Sequence, residues 1–374
     1  MTSAADLAGA HCWTMPAEWA PHDATWLAWP HDGRDWPGKF GAIPWVFAEI
    51  VRHVSRAETV RLLVDDARHE RRARHVLGRT GVELGGIEFR RIRTDRVWTR
   101  DSGPMFVVRA GRKAILGFRF NAWAKYRDFA DDARVADRAA RSLGVPLLPV
   151  RHAGRDVVLE GGAVDLNGRG TLLATEECLL DPVVQVRNAG FGREEYAAAF
   201  RALGVRNVLW LKAGIAGDDD THGHVDDVAR FVDPQTVVLC REPCGRDPNH
   251  RPLEANRERL ESARLEDGSR PQVVFLPMPA PVAFAGRRLP ASYANFYACN
   301  SAVLVPTFDD PNDRIALGIL AEAFRDRPVV GVHARDLVWG LGAIHCLSQQ
   351  EPRAPGGVSR SRSAPHTVVR NPPR

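Results

Sequence analysis

The chain has 374 residues, 44% hydrophobic and 26% charged, enough for a sizeable core and unlike a disordered or fibrous polypeptide. Its net charge of +5 does not mark a nucleic-acid binder: residues 351–374 carry five arginines and one glutamate, leaving about +1 for the rest. No membrane span is expected, since the charge-free stretch 273–286 is short and holds Pro277, Pro279 and Pro281.

Residues 1–14 lack a basic segment followed by an apolar one, so a cytoplasmic protein is expected. Six cysteines scattered over this length argue against a disulfide framework. Cys240 and Cys244 have no second pair to complete a zinc site and read as structural. Residues 351–374, rich in Pro, Gly and Arg, read as a solvated, disordered tail behind a single domain over 1–350.

In chain order, strands are predicted at 24–29, 60–64 and 87–92, with helices at 42–57 and 66–77. A repeat then sets in. Arg100-Asp101-Ser102-Gly103-Pro104 leads into strands at 105–108 and 114–118, and Glu160-Gly161-Gly162 into strands at 163–166 and 171–174 across an Asn167-Gly168 turn. His222 to Asp227 leads into 228–232 and 236–239, and Tyr293-Ala294-Asn295 into 296–299 and 302–305. A last strand is predicted to open at 342–346.

Helices are predicted between the hairpins at 131–143, 193–203, 253–266 and 311–324. Asp310 and Pro311 start the last, and Gly144 and Gly204 stand where C-caps belong. About five hairpin–helix–strand units result, each with a polar, glycine-containing motif at one end of its hairpin. Five such units in a closed ring would bring those ends together on one axis.

The chemistry-bearing residues lie at these ends. Asp101 follows Trp98, and Glu160 ends an apolar run where a carboxylate is rarely buried without a partner. His224-x-Asp226 puts two side chains on one face of an extended segment, with His222 on the same face. Asp218-Asp219-Asp220 reads as a solvated loop, and Cys346 sits between apolar residues and a Ser-Gln-Gln turn.

MPAEW (15–19), WTRDSGP (98–104), FNAW (120–123), LEGG (159–162), THGHVDD (221–227), PASYANFY (290–297), VPTFDDPND (305–313) and GAIHCLSQQ (342–350) together resemble the agmatine deiminase family, kin to bacterial peptidylarginine deiminases. The match runs in order from about residue 15 to 351. It implies the pentein fold, an α/β five-bladed propeller of pseudo-fivefold ββαβ units, which agrees with the repeat count.

The resemblance also implies a catalytic set: Cys346 as nucleophile, His224 as acid–base, Asp101 and Asp226 as guanidinium clamps, and Glu160 as the partner of His224. Substrate binding would fall to Trp98, Asp101, Asp226 and Glu160. It implies a small cationic guanidino substrate, no cofactor and no metal; a homo-oligomer is left open. Departures from the agmatine-specific pattern are His222 in place of asparagine, Gly342-Ala343 in place of Gly-Asn, and Ala124-Lys125-Tyr126 in place of glycines. A Lys125 pointing into the pocket would favour a substrate carboxylate over an amine.

Two other classes remain open on the residues alone. His222-x-His224-x-Asp226 is similar to the HxHxDH ligand run of metal-dependent hydrolases, with Asp227 in place of the last histidine. A silent propeller used for binding is the other.

Overall fold

A computed structural model describes residues 13–355. Five sheets share one plan. A short antiparallel hairpin is followed by a helix that carries the chain over to a third strand, parallel to the second. Met105–Arg109 pairs antiparallel with Arg112–Gly117, and Val135–Leu143 crosses to the parallel Leu147–Pro149. Asp165–Leu166, Thr171–Thr175 and Asn207–Leu211 repeat this around Arg193–Phe200. Ala229–Phe231, Thr236–Arg241 and Gln272–Pro277 do so around His250–Ser262. Tyr297–Ala298, Val303–Thr307 and Val329–His333 do so around Pro311–Ala323.

The fifth blade is split between the chain ends. Gln349–Pro352 pairs antiparallel with His22–Ala28, which pairs in parallel with Thr59–Val64 across the helix Ile43–Val54. Ile87–Arg91 extends this sheet by one strand. The chain is a pentein, with five ββαβ units.

Local chemistry accounts for these elements. Ile43, Phe47, Ile50, Val51 and Val54 fall on one stripe of the first helix and are all buried. Replacing Phe47 with alanine would cost about 3–5 kcal/mol. Asp310 caps the helix of Pro311–Ala323 in a capping box with Asp313, and Pro311 stands at its first position. Gly144 and Gly204 adopt the left-handed conformation just after their helices.

Two expectations are corrected. Residues 342–346 form a bend, and the strand begins at Gln349. The bend is fixed by Asn295 Oδ1, which accepts from His345 N at 2.9 Å, and by Ser348 Oγ, which donates to the carbonyl of Ile344 at 2.9 Å. The tail does not start at 351: Glu351 and Pro352 are buried in the closing strand. There Glu351 accepts from Arg61 Nε at 2.7 Å, Lys113 Nζ at 2.5 Å and Trp26 Nε1 at 3.1 Å. Proline composition concealed an edge-to-edge closure whose partner lies some 330 residues earlier. Residues 356–374 lie outside the described residues.

Candidate active site

Each blade contributes at the segment leading into its first strand. Asp101 lies on the single helical turn Thr99–Ser102, which Arg100 N ties to the carbonyl of Cys346 at 3.1 Å. Its Oδ1 accepts from Gly162 N and its Oδ2 from Trp123 Nε1, each at 3.0 Å. Glu160 is fully buried, and its Oε1 accepts from Arg187 Nε at 3.1 Å. Arg187 donates on to the carbonyls of Thr221 and Gln185, so its side chain is locked.

His224 stands at the start of the 3₁₀ turn Val225–Asp227. Its ring nitrogens face carboxylates just beyond hydrogen-bond reach: Nδ1 is 3.9 Å from Asp101 Oδ1 and 4.0 Å from Asp226 Oδ1, and Nε2 is 3.9 Å from Glu160 Oε2. Asn295, from the fourth blade, donates through Nδ2 to Cys346 Sγ at 3.1 Å and to Asp227 Oδ1 at 2.9 Å. Cys346 Sγ lies 3.7 Å from Asp226 Oδ2. All five predicted catalytic residues therefore meet on the axis.

The approach is close enough to require glycine. A Cβ on Gly162 would lie 2.5 Å from His224 Nδ1 and 2.9 Å from Asp101 Oδ1. A Cβ on Gly342 would lie 2.6 Å from the ring of Trp98 and 3.1 Å from Cys346 Cβ. Trp98 thus packs against Gly342, and it also lines an outer chamber of about 440 Å³ shared with Asp35, Tyr126, Asp220 and Trp339.

Among the described residues, Glu160 Oε2, both ring nitrogens of His224 and Asp226 Oδ1 are buried without a hydrogen-bond partner. Buried polar groups are almost always satisfied, so these atoms stand out: two carboxylate oxygens are left as free acceptors on either side of the His224 ring. Burial pushes Asp101 up to about 6, reinforced by Asp226 and Glu160. Burial works in the same direction on Glu160, but Arg187 and His224 hold it at about 2. Burial opposes a charged His224, yet Asp101 and its other neighbours raise it well above the usual range. Burial, then Asp226, Asp227 and Asp101, raise the Cys346 thiol far above its usual value.

The segment 222–227 is not extended. His222 has φ of 60° and its Nε2 bonds Asp181 at 2.9 Å, so it turns away from His224. The HxHxD run therefore does not converge as ligands. Among the described residues, Asp226, Asp227 and Cys346 alone group closely enough to hold an ion, and Asn295 Nδ2 already donates to two of these three side chains. Lys125 pairs with Asp220 Oδ1 at 2.7 Å, so its charge is already met.

Asp218 was expected in solvent and is buried: its Oδ2 accepts from Gly223 N at 2.9 Å and from His224 N at 3.1 Å, holding the histidine turn. Asn295 and Trp123 stood inside noted motifs without a role. Asn295 was readable from its place in the fourth repeat, whereas Trp123 had no signal beyond its neighbours. Glu18 and His345 likewise stood inside noted motifs without a role, and Arg187 stood in none.

A fold of five ββαβ blades with its polar motifs gathered on the axis defines the class, a pentein. Residues 14–352 match the model of the Porphyromonas-type peptidyl-arginine deiminase family, and the chain belongs to that family. It is 35% identical to the agmatine deiminase of Ectopseudomonas mendocina, over 92% of this chain and 96% of that protein. It is 33% identical to the agmatine deiminase of Stutzerimonas stutzeri, over 90% and 95% respectively. The solved agmatine deiminase of Enterococcus faecalis superposes with a TM-score of 0.83 at 29% identity, covering 91% of this chain and 96% of that one.

Proposed function

We propose that this chain is an agmatine deiminase, hydrolysing the guanidinium of agmatine to N-carbamoylputrescine and ammonia through a covalent intermediate on Cys346. The supporting observation is the set of unpartnered buried atoms that face one another beside the thiol. A guanidinium is planar, carries N–H donors on every side and is always charged, so Asp101, Glu160 and Asp226 can meet it in its plane. The relatives named above supply agmatine as the substrate.

In the ligand-free site burial, and after it three aspartates, keep the thiol protonated. An arriving guanidinium cancels their field, and the thiol proton leaves for solvent as the cation takes its place. The thiolate attacks the guanidinium carbon. His224, already protonated, donates to a departing nitrogen, and ammonia leaves as the C–N bond breaks. A thiouronium remains on Cys346. Neutral His224 then takes a proton from water, whose oxygen adds to the same carbon. The C–S bond breaks, the added hydroxyl gives its proton to solvent, and the ureido product and the thiolate are released. Glu160, anchored by Arg187, stabilises the imidazolium that is present at the outset and re-forms once in the cycle.

The test is an ammonia-release screen over agmatine, free arginine and peptidylarginine, with and without EDTA. Agmatine turnover untouched by EDTA is the expected result. Urea in place of ammonia, or activity lost to the chelator, would refute the reading.

A further inference from the structure

His345, one residue before the thiol, is 1% exposed and lies between two acids. Its Nδ1 is 2.6 Å from Asp226 Oδ2 and its Nε2 is 2.8 Å from Glu18 Oε2. An ionised carboxylate only accepts hydrogen bonds, and a neutral imidazole has one N–H and one lone pair. A neutral ring here would set its lone pair against a carboxylate oxygen at contact distance.

We propose that His345 is a doubly protonated imidazolium whose fixed charge keeps Asp226 ionised and leaves its Oδ1 free to grip the substrate. It is a positioning residue, and the inference rests on the deiminase reading of the site.

The surroundings require this charge. Glu18 Oε1 accepts from Ala298 N at 2.9 Å and pairs with Arg230 Nη2 at 3.0 Å, while its Oε2 also takes Arg100 Nη2 at 3.0 Å. Although burial opposes ionisation, Arg230, His345 and Arg100 hold Glu18 well below the usual carboxylate range. Arg230 Nε also binds Asp165 Oδ1 at 2.6 Å. Three acids (Glu18, Asp165, Asp226) thus meet three cations (Arg100, Arg230, His345) in one buried cluster. Remove the imidazolium charge and the cluster is left with one uncompensated buried anion, a costly state.

Asp226 would bear that cost. It is faced by His345, by His224 at 4.0 Å, by Cys346 at 3.7 Å, by the acids Asp101 and Asp227, and at longer range by Arg230. Of these, only His345 both donates to Asp226 and carries charge. With Oδ2 occupied, Oδ1 is the oxygen left over, and it is the one that lacks a partner among the described residues.

The test has two arms. A neutron crystal structure of the wild-type chain at pH 8 should show deuterons on both ring nitrogens of His345. One deuteron, with both carboxylates unprotonated or with the proton on Asp226, overturns the proposal. In the second arm, His345→Gln keeps a donor for one acid and removes the charge. Asp226 should then replace Asp101 as the group that sets the acid limb of kcat/KM for agmatine, moving that limb up by about one pH unit or more, with KM raised about tenfold and kcat changed less. Equal loss at every pH, with the limb unmoved, means a purely structural histidine and overturns the proposal, as does unchanged kinetics. Should His345→Gln fail to fold, the neutron result alone decides. A wild-type chain that releases no ammonia from any guanidine would sink the deiminase reading, and the neutron map would still report the ring's protonation.

Discussion

Two buried charge clusters lie side by side and differ in completeness. Beneath the axis, Glu18, Arg100, Arg230 and Asp165 answer one another at 2.6–3.0 Å. On the axis, Asp101, Glu160, His224 and Asp226 are equally buried, yet four of their atoms have no partner among the described residues. The first cluster is closed by its own members and holds blades together. The second, on the proposed reading, is closed by the substrate guanidinium. His345 stands on the seam, with one nitrogen in each cluster.

The contrast predicts opposite consequences of mutation. Cys346→Ala should lower agmatine turnover by about 10⁴-fold or more while leaving thermal unfolding nearly unchanged, as read by ammonia release and calorimetry. Arg230→Met, in the closed cluster, should destabilise the fold by about 3–5 kcal/mol in denaturant titration, because it strands Glu18 and Asp165. If Arg230→Met unfolded no more easily than Cys346→Ala, the distinction between the clusters would be lost.

Gly162→Ala sharpens the comparison on the axial side. Its methyl would lie 2.5 Å from His224 Nδ1, and displacement of the reacting groups by about 1 Å should cost on the order of 10²-fold in kcat/KM. Wild-type rates with this variant would mean that His224 does not act where it stands.

The pH profile is the next probe. Asp101, pushed up to about 6, takes up a proton as pH falls through that value and loses its hold on a cation, so kcat/KM should fall below about pH 6. The same shift has a stability consequence. The folded state holds this proton more tightly than the unfolded one, so ionised Asp101 costs stability above its unfolded value. The folded chain should therefore lose stability through this group as pH rises from about 4 to about 6, and titration of unfolding free energy against pH would reveal a contribution on the order of 3 kcal/mol. Lys125→Ala should do least, changing kcat/KM for agmatine less than about threefold, because Asp220 already meets its charge.

Much of this was legible in the sequence. The repeat of polar motif, hairpin and helix gave five blades because each unit carries its own period and cap signals, as at Asp310-Pro311 and Gly144. The residues that meet at the site were named through the resemblance to the deiminase family, and Asp101, Glu160 and His224 each also precede a hairpin at the same place. What stayed hidden depends on partners remote in sequence. Glu351 reads as part of a polar tail until Arg61, Lys113 and Trp26 surround it. Asp218 reads as one of three solvated aspartates until the backbone of 221–224 folds onto it. His345 and Glu18 lie about 330 residues apart and were paired by ring closure alone.

The most direct measurement is the mass of the Cys346 peptide from enzyme quenched in acid during agmatine turnover. The account predicts an adduct equal to agmatine less ammonia, confined to Cys346 and absent once all of the agmatine has been hydrolysed. Steady ammonia release with Cys346 unmodified, persisting in Cys346→Ala, would contradict it.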